Sequence, residues 1–563
     1  MNAPSALLAV LLLTPIAVID AQLPEPAPRQ DLHWPLELDA REAIQGLDAR
    51  VVGGVRFGVE LEKTAARLDG RTGHLEITDS AALSLGREDF TLALWFNAPA
   101  TDDPPGDLVS CFDAEGRRGF NLGFQDQAGT CTSTSNTRNL FFGVDDGTEA
   151  KWTDCGRPGR AVMPFALAVF DGDLYAGTFE HGADEAGGVF RYAGGTEWIF
   201  CGHPDRCSAV SALAVHKGQL FAGVKRESGV GSHLPPSPNV NPGGRVFRYL
   251  GGERWEDCGR PGEAETIRSM ISYGGNLLVT SMDAPPKTPP SPQQGLFRYE
   301  GGTKWTFLGN PGGRVAALGV NDGELFGTGF DVGLGGVFRY DGDGKWANLG
   351  APPKVDQTYS FAVFRNELHA GTWREGKVFA YPKDRPWRDV GRLGKELEVM
   401  GMAVFNGKLY GGTLPLAQVW RFDDAGWTLT GRLDFSDVEY RRAWSMAVFQ
   451  GRLFCGVLPS GHVHALEAGA AVSFDRAVGE GWHHVAAMRE QGRLKLFLDG
   501  RQVAQTADDG AGRLNLDAKA PLRIGAGEHA TFNGALRDLR VYRRALSPEE
   551  VSQLAQPFTT NRK

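Results

Sequence analysis

The chain has 563 residues, more than a single hydrophobic core organises outside a repeat architecture. A net charge of −9 excludes a general nucleic-acid binder, which needs a basic surface. With no collagen period, 75 glycines beside 32 phenylalanines and 13 tryptophans point to many short strands joined by tight turns.

At the N-terminus, Ala6 to Val18 is an uncharged apolar run, and Ile19-Asp20-Ala21 offers a small residue before Gln22. This pattern predicts a signal peptide over residues 1–21 and an exported protein, whether secreted, periplasmic or held at the cell surface. The run is short for crossing a bilayer, and no later stretch is long enough, so no membrane span is expected in the mature chain. There are seven cysteines. In an exported protein Cys111 with Cys131, and Cys201 with Cys207, are candidate disulfides. Cys155, Cys258 and Cys455 then read as small buried hydrophobes. No C-x-x-C occurs, which argues against a cysteine zinc site.

From residue 151 a unit repeats. Trp152, Trp198, Trp255, Trp305, Trp346, Trp387 and Trp427 recur at intervals of 40 to 57 residues. Each unit holds four β runs: A, of the type Ala166–Phe170; B, of the type Leu174–Thr178; C, of the type Val189–Tyr192; and D, around the tryptophan. Asp171-Gly172, Asp322-Gly323 and Asn406-Gly407 between A and B are hairpin signals. Four antiparallel strands per unit, repeated, predict a β-propeller. Complete A–B–C sets number seven, and the last lacks a D strand. Lys151–Cys155, a spare D strand ahead of the first A, is placed to complete it beside His462–Leu466 and close the ring. The propeller is predicted over residues 151–466.

The flanks are not repeats. Upstream lie Leu68-Asp-Gly70, Gly73–Ile77 and Asp89–Phe96, and the first half ends near Phe141–Asp146. Downstream lie Val472-Ser-Phe474, Gly481–Ala486, Leu494–Gly500 and Phe532–Ser547. In content and order these motifs resemble the laminin G-like, or concanavalin A-like, jelly-roll family. The resemblance covers residues 30–147 and 469–558. It implies an all-β fold in which a seven-bladed propeller is inserted into one jelly-roll β-sandwich. The repeats themselves are only loosely similar to kelch and sialidase units; Tyr299–Trp305 lacks the Ser and Asp of a sialidase box.

Strict catalytic patterns are absent: no G-x-S-x-G, H-E-x-x-H, P-loop or EF-hand loop is present, and no catalytic residue is assigned. Some members of the jelly-roll family bind calcium at two acids. Here the first such position is Arg537, which leaves Asp538 as the metal candidate and calcium as a cofactor that only the resemblance implies. Neighbouring residues on a strand face opposite ways, so His483 and His484 read as part of a core strand.

In a four-stranded blade the A–B and C–D turns share one face, and the B–C and D–A loops share the other. The first set is uniformly short. The second varies, with Lys225–Gly244 and Gly431–Arg442 the long cases. Function is expected on the elaborated face. Phe179, Lys225, Met282, Phe330, Trp373, Leu414 and Leu458 follow the B strands, and Arg374 follows Trp373. Arg268, Arg314, Tyr359, Arg442 and Trp444 lie at the A-strand starts of the same end. Aromatic faces stack on sugar C–H surfaces and arginine forks onto carboxylates, so Trp373, Arg374, Tyr359, Arg442, Trp444 and Arg268 form a candidate ligand-binding set. The alternative is that these rings fill gaps between blades and the arginines cap a solvated rim. Glu265, Glu396, Glu398, Asp437 and Glu439 lie in the D–A loops, where two could serve as glycosidase acid and base. Three functions follow: an exported non-catalytic binder of a glycan or cell-surface protein, a polysaccharide-acting glycosidase or lyase on the propeller, and a cell-surface scaffold.

Overall fold

The computed structural model describes residues 31–60, 62–78, 83–127, 134–284, 291–331, 336–383 and 385–556. Residues 1–21, where a signal peptide is expected, and Cys131 lie outside them. Among the described residues the only α-helix is Pro548–Leu554, and no helix is long and apolar enough to cross a membrane.

Two sheets form a sandwich, and each draws strands from both ends of the chain. One runs in the order Val55–Glu60, Lys63–Asp69, Asn533–Tyr542, Phe90–Asn97, Trp482–Glu490, Arg493–Leu498, Arg501–Gln505, with Leu32–Trp34 added on Asn533–Tyr542. The other runs Arg50–Val52, His74–Ile77, Leu522–Ile524, Asp107–Asp113, Arg118–Gln127, Asn136–Asp146, Ala470–Ala477. Trp34, Phe90, Phe96, Phe120, Phe142 and Leu536 are buried between them in one core.

The remaining strands form seven four-stranded blades. The inner strands are Met163–Phe170, Ala209–His216, Thr266–Tyr273, Val315–Asn321, Gln357–Phe364, Glu398–Phe405 and Arg442–Phe449. The repeat explains their cohesion. In the first six blades the C-strand aromatic meets the D-strand indole across the outer ladder, as in Tyr192–Trp198 at 5.1 Å, Tyr299–Trp305 at 4.9 Å and Phe422–Trp427 at 5.3 Å, and in the last Trp152 stands opposite Leu466. Indoles also donate to the outer strand of the preceding blade: Trp255 Nε1 to the Cys201 carbonyl at 2.8 Å, and Trp305 Nε1 to that of Cys258 at 2.8 Å.

The ring closes as the leftover D strand required. Lys151–Asp154 pairs antiparallel with Val463–Glu467, Lys151 opposite Glu467. Trp198 of the first blade donates to the Cys155 carbonyl at the end of that strand. In the sandwich, Asn136–Asp146 pairs with Ala470–Ala477, Val144 opposite Ala470. Two neighbouring strands of one sheet therefore leave the sandwich together and become the outer pair of the last blade. An insertion of this kind needs only that the guest's two ends lie side by side.

The short A–B turns face the sandwich. Gly172 N donates to Asp475 O at 2.9 Å, Gly274 N to Asp102 at 2.8 Å and Gly323 N to Asp103 at 2.9 Å. Asn366 and Thr531 exchange two hydrogen bonds of 2.8 and 2.7 Å. Asn406 Nδ2 reaches the carbonyls of Val144 and Ala468. The plain face of the propeller is thus covered, and the loop-rich face lies at the opposite end.

Candidate functional site

At the loop-rich end the first residue of each inner strand faces the last of its neighbour: Met163 opposite Phe179, Ala209 opposite Lys225, Thr266 opposite Met282, Gln357 opposite Trp373, Glu398 opposite Leu414 and Arg442 opposite Leu458. One step inward the ladder slips in every blade. The register shift leaves out Phe165, Ser211, Arg268, Tyr359 and Trp444 in turn, and spans two residues in the blades of Val315 and Val399. A bulge re-aims the extra side chain. Phe165, Tyr359, Met400 and Trp444 meet at the axis in one cluster, with Phe330, Trp373 and Leu234 packed against it.

Charged groups are set into this cluster. Arg268 is 3% exposed, and its guanidinium lies 5.1 Å from the Trp444 ring and 5.3 Å from the Phe330 ring. Its Nε has no hydrogen-bond partner, and it forms no ion pair with any described residue. The Glu398 and Glu227 carboxylates act on it only from beyond ion-pair distance, and a buried charge without a close partner is costly. Arg442 donates to Ser232 Oγ and, at 3.1 Å, to Gly231 O. Its Nε stands 3.9 Å from Glu398 Oε2, an ion-pair contact too long for a hydrogen bond. Burial pushes the Glu398 carboxyl up, opposed by Arg442, Tyr359 and Arg268. Tyr359 donates to Gln357 Oε1 at 2.6 Å, and burial raises its phenol well above the usual value. Around this centre Arg314 pairs with Asp331 at 2.6 Å and Lys225 with Glu227.

The long loop of the second blade crosses to the seventh. Its 3-10 turn, Val230–Ser232, carries the two groups that Arg442 binds. His233 meets Glu439 at 2.7 Å and stacks near Tyr440 at 4.5 Å. Asn239 anchors the far end on Glu185 O and Arg206 O at 2.7 and 3.0 Å.

Of the six ligand-set residues, the structure brings Arg268, Tyr359, Arg442 and Trp444 together at the axis, with Trp373 on the wall. Arg374 is elsewhere: it is exposed, paired with Asp356 at 2.6 Å and lying over the outer face of Trp373. Among the acids, Glu396 is tied to Thr413 Oγ1 and Leu416 N, Glu439 to His233, and Glu398 alone reaches the axis. Gln357, Ser232 and the bulges were missed. Gln357 had a signal, since it holds the same repeat position as Glu398 and Arg442.

Two expectations are corrected. Cys111, Cys201 and Cys207 are buried free thiols, so Cys201 and Cys207 are not bridged, and Cys131, the proposed partner of Cys111, lies outside the described residues. Cys201 occupies the repeat position of Cys155 and Cys258, where a small side chain lies under the next blade's tryptophan. Its sulfur faces Ile199 O, whereas that of Cys207 faces Ala209 O. Asp538 does not fit calcium. Its carboxylate is held by His33 Nε2 at 2.7 Å and Arg540 Nε at 3.0 Å, which hold it below the usual carboxylate range. Among the described residues no group of three or more His, Cys, Asp or Glu is placed to hold a metal. His484 packs edge-on to Trp95 at 5.4 Å while His483 pairs with Asp499, the opposite-facing arrangement of a strand.

The architecture and its axial cluster define an all-β protein with a seven-bladed propeller set into a concanavalin A-like sandwich. Residues 442–552 match the concanavalin A-like lectin/glucanases superfamily, a stretch that begins in the last blade and continues through the second half of the sandwich. Virginiamycin B lyase from Staphylococcus aureus is similar over 56% of this chain and 99% of its own, at 11% identity and a TM-score of 0.42. BamB from Moraxella catarrhalis is similar over 64% and 94%, at 11% identity and a TM-score of 0.33. The WD40 propeller of Doa1 is similar over 56% and 97%, at 11% identity and a TM-score of 0.38. None of these likenesses bears on the chemistry at the axis.

Proposed function

We propose that this protein is an exported, non-catalytic binding protein that recognises a carbohydrate through the axial cluster on the loop-rich face of the propeller. The observation that carries the reading is Arg268, a buried cation between Trp444 and Phe330 whose Nε has no hydrogen-bond partner and which has no carboxylate at ion-pair distance among the described residues. Aromatic walls with a few inward polar groups are the make-up of a ligand site. The opposite face is covered by the sandwich, which leaves this end for a partner. Export rests on the apolar run Ala6 to Val18. Of the carboxylates around the axis, Glu227 and Asp331 are held in ion pairs by Lys225 and Arg314, which leaves Glu398 and favours binding over the two-carboxylate chemistry of a glycosidase.

The test is a glycan array on the mature protein, run with calcium and with chelator, alongside Trp444→Ala. Binding is expected in both buffers, since the Asp538 carboxylate is already held by His33 and Arg540. Trp444→Ala is expected to lower it about fivefold or more, at about 1–3 kcal/mol for a lost stacking ring. Undiminished binding by Trp444→Ala would move recognition to the sandwich, and loss in chelator would restore a metal.

A further inference from the structure

We infer that the ligand carries a carboxylate, the acid group of a hexuronate sugar, and that this group seats on Arg268. The inference rests on the reading above, that the axis binds a saccharide, and adds the chemical class.

Arg268 differs from the cations around it. Lys225 has Glu227, Arg314 has Asp331 and Arg374 has Asp356. Arg442 has Glu398 at 3.9 Å and two oxygens on the crossing loop. Arg268 has two aromatic rings and no carboxylate at ion-pair distance among the described residues; Glu398 and Glu227 act on it only from farther away. It reaches this place because the ladder slips between Ile267 and Ser269, a device that costs a regular pairing and aims one side chain at the axis. Rings flanking a guanidinium strip water from it and fix its plane, while its N–H edge stays available to a planar two-oxygen acceptor. A carboxylate matches that fork in a bidentate, charge-assisted geometry.

The neighbouring groups fit the rest of a sugar. Trp444 Nε1 and Arg442 Nε are donors without a hydrogen-bond acceptor among the described residues, and Glu398 Oε2 is an acceptor without a donor. Sugar hydroxyls both donate and accept, so one ring can satisfy all three while its C–H face lies on an aromatic wall.

The experiment is titration calorimetry of the full-length mature protein with trimers of galacturonate, glucuronate, mannuronate and guluronate. Each is paired with its carboxyl-reduced, neutral counterpart. A sulfated galactan trimer and a glutamate hexapeptide complete the panel. At least one uronate is expected to bind about tenfold or more tightly than its reduced partner, the weight of a charge-assisted hydrogen-bonded pair. Arg268→Lys keeps the charge and loses the fork, and is expected to erase most of that difference. The wild-type comparison of paired ligands decides the matter even where the variant fails to fold. Equal affinity within every pair, or preference for the sulfated trimer, overturns the carboxylate and leaves saccharide binding standing. Binding of the peptide alone overturns the sugar. If no saccharide binds here or on the array, the proposed function falls and this inference with it.

Discussion

Buried ionisable side chains mark where the two domains hold each other. Asp475 accepts from Gln450 N at 3.0 Å and Ser473 Oγ at 2.6 Å, and its own carbonyl binds Gly172 N. It thereby engages the turns of the first and last blades. Burial pushes its carboxyl up to about 7 from an ordinary 3.8. A raised carboxyl holds its proton in the folded state when the unfolded chain has lost it. Its contribution to stability therefore falls as pH rises from about 4 to about 7, with a slope of up to about 1.4 kcal/mol per pH unit. Asp107 and Asp126 act in the same sense, whereas His369 and His529, lowered to about 4 by burial, lose stability as pH falls from 6.5. The readout is consequently a difference. In urea unfolding, the stability of Asp475→Asn relative to wild type is expected to rise steadily between pH 4 and 7.5. A flat difference would show that Asp475 does not titrate on folding.

The repeating strand pair was legible because its determinants are local. An A–B hairpin needs only a two-residue turn, and an outer ladder needs only a cross-strand aromatic pair. Tertiary contact then makes similar tryptophans unequal. The Trp255 indole donates to Cys201 O at 2.8 Å, but Trp346 Nε1 is buried with no acceptor among the described residues. Trp255→Phe is expected to cost about 1 kcal/mol more than Trp346→Phe in denaturant unfolding, because only the first removes a made hydrogen bond. Equal costs would mean that the inter-blade bond contributes nothing. The Cys201–Cys207 disulfide failed at this same scale. A short spacing between Cys201 and Cys207 suggested a bridge, but the D-strand repeat fixes where Cys201 points.

For the whole molecule, two strands run from sandwich to blade, and the turns of several blades are bonded to the sandwich. Arg365 N donates to Glu528 O at 3.1 Å and its guanidinium to the Glu528 carboxylate, beside the paired Asn366 and Thr531. Sandwich and propeller are therefore expected to unfold together, in one calorimetric endotherm. The double variant Arg365→Ala, Asn366→Ala is expected to broaden or split it. Two separate endotherms in the wild-type protein would overturn the coupling.

The sequence by itself determined the elements and their sorting. The tryptophan period, the turn dipeptides and the spare Lys151–Cys155 strand gave seven blades with a shared last one. The flanking motifs gave a sandwich split in two. These signals are carried within a strand, a hairpin or a repeat, so neighbouring residues suffice to express them. Only the tertiary structure decided which propeller face is covered, since the docking turns contribute mostly backbone N–H groups that any sequence carries. It alone placed Arg268 between Trp444 and Phe330 and joined Arg442 to Gly231. Those residues are far apart in the chain, and they meet only because a closed ring of blades brings its strand ends to one axis and a bulge in each inner strand turns a side chain toward it.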